Sequence, residues 1–163
     1  MNIDQAIKFL DKQIPNSSLG LPEEIFLFIS RLTPMINVDL LIKDEKGRTL
    51  LSWRNDQYAG TGWHIPGGII RYKEYFETRI QKVIDTEIGL PVKYDPKPIK
   101  ITQLTGRQNT RGHFISILFK CFLSGKYTLN KNGLTEKDRG FLKWHKSYPS
   151  NIVKVQSIYK KFF

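Results

Sequence analysis

Cysteine is nearly absent from this chain. Cys121 stands alone, so no internal disulfide can brace the fold, and its place in the apolar run Phe114 to Leu123 marks it as a core residue. No apolar run approaches the roughly 20 residues that a bilayer-spanning helix needs, and no basic-then-apolar leader opens the chain. The expectation is a protein with no membrane partner, cytoplasmic in location. Acidic residues are scarce beside basic ones, 15 against 26, for a formal net charge of +11. Such an excess attracts polyanions, among them nucleotides, nucleic acid and anionic lipid, and serves equally well simply to keep a protein soluble. Aromatic residues interleaved with basic ones on one sheet face are not evident, which disfavours nucleic acid as the partner. Internal repeats and low-complexity stretches are also lacking.

A chain of 163 residues, 40% of them apolar, suits one domain with a real core. The spacing predicts a helix over Asp4 to Ile14 behind an aspartate cap, a break over Pro15 to Gly20, and a second helix from Pro22 to Leu32. These two helices, residues 1–33, read as an extension ahead of a globular unit at 34–163. They would cover an edge of the core or form a homodimer surface, and the residues leave both open. Strands are expected at Met35 to Lys43 and Arg48 to Trp53, turning at Asp44 to Gly47, with a rim loop from Asn55 to Gly62. Further on come an irregular connection from Pro91 to Pro98, strands at Ile99 to Leu104, His113 to Leu123 and Phe141 to Trp144, and a closing helix from Ser150 to Phe162. That helix carries Ile152, Val155, Ile158, Tyr159 and Phe162 on one face.

The organising stretch is Trp63 to Leu90, WHIPGGIIRYKEYFETRIQKVIDTEIGL. Gly67 and Gly68 would bring bare backbone close to a ligand. A helix beginning near Glu74 places Phe76, Ile80, Val83, Ile84 and Ile88 on one flank, and at about 100° per residue Glu87 falls inside that stripe. A carboxylate aimed at a packed face needs a cation, a donor or a metal, which singles out Glu87. Asp39 within the first strand poses the same question, with Arg54 as a candidate partner if it faces inward. Arg107 and Arg111 make the loop GRQNTRG suited to phosphates. Tyr58 and Trp63 are available for stacking on a base or sugar, although Trp63 serves equally as core.

The same stretch resembles the Nudix box, in which Gly, five residues, Glu, seven residues, Arg-Glu-aliphatic, one residue, Glu-Glu, one residue and Gly-aliphatic follow in order. Gly68, Glu74, Ile84, Glu87, Gly89 and Leu90 stand in register, Lys82 replaces the arginine, and Val83 and Thr86 replace two glutamates. Lacking those two glutamates, the chain is most similar to the GDP-mannose mannosyl hydrolase branch, from roughly Met35 to Trp144. The resemblance implies an α/β fold, a Nudix-type α/β/α sandwich with a mixed central sheet, here with two added N-terminal helices. It also implies a magnesium cofactor, with manganese as a substitute, and a nucleotide-sugar substrate split into sugar and nucleoside diphosphate by attack at the anomeric carbon.

Carried over residue by residue, the resemblance points to Gly67, Glu87 and Asp138 for the metal. Asp39, Arg54 and Phe114 fall to the substrate, and Arg54 also to catalysis; Arg71, two residues past an arginine of that branch, and Arg111, from its basic loop, join them at the phosphates. Asp138 and Arg139 occupy the places of a Gln-His pair that supplies a metal ligand and the base in that branch. Arginine is no base at neutral pH. His145, His113 and His64 therefore remain open as the base. A pyrophosphohydrolase attacking phosphorus and a nucleotide-binding module without turnover are the other readings.

Overall fold

The computed structural model describes residues 1–130 and 133–163. Its two N-terminal helices are α1 (Ile3–Lys12) and α2 (Glu23–Ile29), separated by a 3₁₀ turn at Ser17–Leu19. Asn2, rather than the expected Asp4, caps α1: its side chain accepts from the Gln5 amide while the Gln5 side chain accepts from the Asn2 amide.

The strands follow as β1 (Met35–Lys43), β2 (Thr49–Asp56), β3 (Gly60–His64), β4 (Gly67–Ile69), β5 (Lys93–Thr105), β6 (His113–Phe122) and β7 (Leu142–His145). They form one mixed seven-stranded sheet in the order β3-β2-β1-β6-β5, with β4 added to β1 and β7 to β2. The β1–β6 pair is parallel and the rest are antiparallel.

Period-two alternation along β1 and β6 divides the core between the two faces. Val38, Leu40, Ile42, Ile117, Phe119 and Cys121 pack with Ile80, Val83, Ile84 and Ile88 from the box helix on one side. Leu41 and Leu118 pack with Trp63, Ile65 and Tyr159 on the other. This is the expected α/β/α layering. The outer layer on the second face is a 3₁₀ helix, Lys154–Phe162, shorter than expected, and it buries Gln156 and Tyr159 while Val155 stays exposed.

Three segments depart from expectation. Asn55 to Gly62 is a hairpin rather than a loop, because β2 continues to Asp56 and β3 starts at Gly60; the Asp56 side chain closes the tip by accepting from the amides of Tyr58 and Ala59. The stretch Pro91 to Pro98 already pairs from Lys93 onward, with register irregularities between Tyr94 and Lys100 where two prolines interrupt the ladder. The box helix, α3 (Phe76–Val83), starts two residues after Glu74, and its last turn, Ile84–Ile88, is π-helical, ended by Gly89 at φ 65°.

β1 and β2 pair at their turn, Lys43 against Thr49, and then part. Beyond that point β2 pairs with β3 and β1 pairs with β4, and β3 runs into β4 through Ile65 and Pro66. A large cavity lies where the strands part.

Leu118 is fully buried between the sheet and the 3₁₀ helix. Truncating it in Leu118→Ala should cost about 2–5 kcal/mol in denaturant unfolding, as for other buried leucines. A loss below about 1 kcal/mol would mean that this second core layer is not packed as described.

Candidate functional site

The cavity has a volume of 1520 Å³. Its floor is the β1–β4 pairing. Leu40 N–H donates to the Pro66 carbonyl and Ile70 N–H to the Ile36 carbonyl, so the antiparallel alternation turns the amide and carbonyl of Gly67 away from β1. Only glycine fits there. A Cβ at Gly67 would meet the Asp39 carboxylate and stand 2.6 Å from the Val38 carbonyl oxygen. At Gly68 a Cβ would press on the Val83 and Arg79 side chains, so the glycine pair lets β4 lie flat between β1 and α3.

Asp39 is buried at this floor, 6% exposed. Its donors are the hydroxyls of Ser116 and Tyr159 and the Asn37 amide at 2.9 Å. Arg54, the partner suggested by the sequence, pairs with Asp56 and reaches Asp39 only as a distant charge. Burial pushes the Asp39 carboxyl above its usual range, against the pull of those three donors.

Glu87 comes to the cavity through the π turn. Its wider winding keeps Ile84 and Ile88 in the core and releases Glu87 from the apolar stripe where regular helical counting puts it. Glu87 makes no ion pair with lysine or arginine among the described residues. Although 33% of its side-chain surface remains open, most of the carboxylate's surroundings are protein, and this desolvation pushes its pKa up to about 7. The Gly67 amide and Arg54 pull the other way, and Asp39 adds to the rise.

His64 faces Glu87, with Nε2 4.0 Å from Oε2. Its Nδ1 lies 2.9 Å from the Ser52 carbonyl oxygen, which can only accept, so Nδ1 carries the proton and Nε2 keeps its lone pair. Burial and the nearby Arg54 push the His64 pKa down to about 4, which keeps the ring neutral. Asp56 is the counterweight. Burial would raise its pKa, but the Ala59 amide, Arg54 and the Tyr58 amide hold it at about 2.

Of the residues named from the sequence, Asp39, Arg54, Gly67, Arg71, Glu87, Arg111 and Phe114 all line the cavity. Asp138, His113 and His145 do not. Asp138 is turned back on its own loop, accepting from the amide and hydroxyl of Thr135. His113 meets Gln103 across the β5–β6 ladder at 2.9 Å. His145 packs edge-on against Trp63 at 4.6 Å, and Trp63 itself belongs to the core. Among the three histidines left open, His64 is the one at the cavity.

Val83 and Thr86, the two positions that differ from the pattern the sequence resembles, do structural work. Val83 is buried against Gly68, and the Thr86 hydroxyl donates to the Lys82 carbonyl at 2.7 Å. Glu74 is also structural: it pairs with Arg79 at 2.7 Å and with Lys82 at 2.9 Å and accepts from the Arg71 amide.

Sequence reasoning missed Asp56, Ser116 and Tyr159, and gave Arg139 no role; it lines the cavity and its charge bears on both Glu87 and His64. A signal existed only for Asp56, whose spacing to Tyr58 and Ala59 suits a side-chain-capped turn.

Known proteins place this architecture. No family model matches the chain. A curated relative, the low-salt glycan biosynthesis protein Agl8 of Haloferax volcanii, is 30% identical over 85 residues, 52% of this chain and 54% of that protein. The chain thus matches about half the length of that relative. Among solved structures, a MutT NUDIX hydrolase from Burkholderia pseudomallei superposes with a TM-score of 0.62 at 18% identity, covering 79% of this chain and 97% of the other. A UDP-X diphosphatase superposes at 0.56 with 15% identity, over 99% of this chain and 67% of that one. The chain has the Nudix fold.

The raised Glu87 pKa carries a sign that can be checked without a metal. Its folded-state value, about 7, lies above its unfolded value of 4.5, so ionising Glu87 destabilises the fold progressively as pH rises from 4.5 to 7, and no further above that. After allowance for its open surface, the effect should be about 1–3 kcal/mol. Denaturant unfolding in chelator should show Glu87→Gln gaining on the parent by this amount between pH 5 and pH 8, counting about 1.4 kcal/mol per pKa unit. A difference that stays flat with pH would show that the carboxylate is solvated as in water.

Proposed function

We propose that this protein is a magnesium-dependent hydrolase of a nucleoside diphosphate sugar, GDP-mannose-like, releasing the sugar and an intact nucleoside diphosphate. The observation that carries this reading is the opposition of Glu87 and His64 beside the unpaired edge of Gly67, in a cavity lined by arginines. The Nudix fold and the solved structures that share it add support for hydrolysis of a nucleotide derivative.

The residues fit magnesium of one particular kind. Among the described residues no three of His, Cys, Asp and Glu are grouped to hold a metal by themselves. Magnesium, however, keeps several waters and often binds through one or two carboxylates together with substrate phosphates. Glu87, with the ladder-free Gly67 carbonyl, offers such a partial site. When bound there, the ion would neutralise the leaving diphosphate.

The chain's own residues do the rest. Arg54, held in place by Asp56, and Arg71 bind the diphosphate oxygens. The His64 Nε2 lone pair takes a proton from water, whose oxygen bonds to the anomeric carbon. The bond from that carbon to the diphosphate oxygen then breaks, and its electron pair leaves with the diphosphate. A diphosphate is stable enough as a leaving group to need no acid, so a base as weak as His64 suffices.

Incubation with magnesium and nucleotide sugars in ¹⁸O water separates the outcomes. Label should appear in the free sugar, and Glu87→Gln and His64→Ala should each lower kcat by about 10²–10⁴-fold. Label in phosphate would shift the reaction to phosphorus. Full activity in Glu87→Gln would remove the metal assignment.

A further inference from the structure

Six arginines line the cavity: Arg54, Arg71, Arg79, Arg107, Arg111 and Arg139. Arg54 is committed to Asp56 and Arg79 to Glu74. The other four form no ion pair among the described residues. A diphosphate bridging two groups carries two negative charges, and a divalent ion would already offset them. The cavity therefore holds more fixed positive charge than that diphosphate uses.

Arg111 shows where the surplus is organised. Its guanidinium lies 5.2 Å from the Phe26 ring centroid and 4.6 Å from that of Tyr58, so two aromatic rings contact it. Contacts of this kind engage the face of a guanidinium and leave its N–H edge free to donate. None of those N–H groups donates within the protein among the described residues.

The surroundings hold that posture. Tyr58 donates its hydroxyl to Glu23, the Arg111 amide donates to the Ser30 hydroxyl at 2.9 Å, and the Arg111 backbone keeps a φ of 55°, unusual for a side-chain-bearing residue. Glu23, Phe26 and Ser30 all belong to α2 or its C-cap. The N-terminal extension is thus one wall of the cavity. Gly20 adds to that wall, since a Cβ there would sit 3.2 Å from the Arg71 guanidinium.

We propose that the substrate carries a further anionic group beyond the bridging diphosphate, a carboxylate or a phosphate, and that the free edge of Arg111 receives it beneath the N-terminal extension. The inference rests on the nucleotide reading above and narrows its substrate class. Phe26 and Tyr58 orient Arg111 and set specificity through it.

Equilibrium binding in chelator tests this without turnover. The probes are matched pairs: GDP-mannose with GDP-mannuronate, UDP-glucose with UDP-glucuronate, and GDP with GTP. The more anionic member of at least one pair should bind about tenfold tighter or more, the gain expected from one charge-assisted contact. A preference confined to the uronates identifies a carboxylate, and one confined to GTP identifies a phosphate.

Arg111→Met should abolish the preference and Phe26→Ala should weaken it. Arg111→Lys, which keeps the charge without the flat stacked edge, should retain part of it; melting curves establish that each variant is folded. Equal affinity within every pair overturns the proposal and leaves the nucleotide reading standing. A preference untouched in folded Arg111→Met and Arg111→Lys also overturns it. Failure of every probe to bind, both in chelator and with magnesium in its place, overturns both.

Discussion

The close approach of β4 to β1 at Gly67 is the contact on which the rest of this structure depends. A bare backbone at that position lets β4 pair with β1 while the buried carboxylate of Asp39 occupies the space a Cβ would need. Because β4 takes that edge, β2 parts from β1 beyond Thr49, and the parting strands form the cavity. The same placement leaves the Gly67 amide and carbonyl outside the ladder, directed to the side where Glu87 arrives. Asp39 is then best understood as part of the floor. Its oxygens are engaged by Ser116, Tyr159 and Asn37, which ties β1, β6 and the C-terminal 3₁₀ helix together at that spot.

Two acids near one another in this floor behave differently because their neighbours differ. Asp39 is saturated with donors from neutral groups, whereas Glu87 has few partners and keeps part of its surface in the cavity. A buried carboxylate without a full set of donors costs stability, and folds retain such a group where something outside the fold completes it. His64 fits the same pattern. Its Nδ1 is satisfied by a backbone carbonyl and its Nε2 is not satisfied by anything equally close, so its basic edge is presented to whatever enters.

Much of this was legible in the residues. The alternation in β1 and β6, the turn at Asp44 to Gly47 and the apolar flank of α3 are local patterns, and local patterns survive folding. Glu87 was legible for a related reason, since a carboxylate on an apolar flank conflicts with its neighbours. Its final direction was not, because the π turn changes the winding in the last five residues and no propensity marks where that happens. The Tyr159–Asp39–Ser116 network spans positions 120 and 77 residues apart, and nothing in the local sequence couples them. Asp138 and His113 were plausible by type and by family register, but a side chain that can satisfy itself on its own loop or on the neighbouring strand does so.

The absence of a carboxylate at Val83 and at Thr86 bears on how charge is handled in the cavity. The packing of Val83 against Gly68 helps α3 lie close to β4. A carboxylate at that position would have to be buried beside apolar neighbours, and one at Thr86 would face the cavity near Glu87, where like charges oppose each other. Among the described residues no three metal-ligating side chains are grouped, and the field of the cavity is set largely by its arginines. Phosphate recognition by arginine needs no metal cage, since a planar fork donates two hydrogen bonds to one anionic group. The N-terminal segment then has a place at the cavity, because Phe26 and Ser30 contact Arg111 and Gly20 borders Arg71.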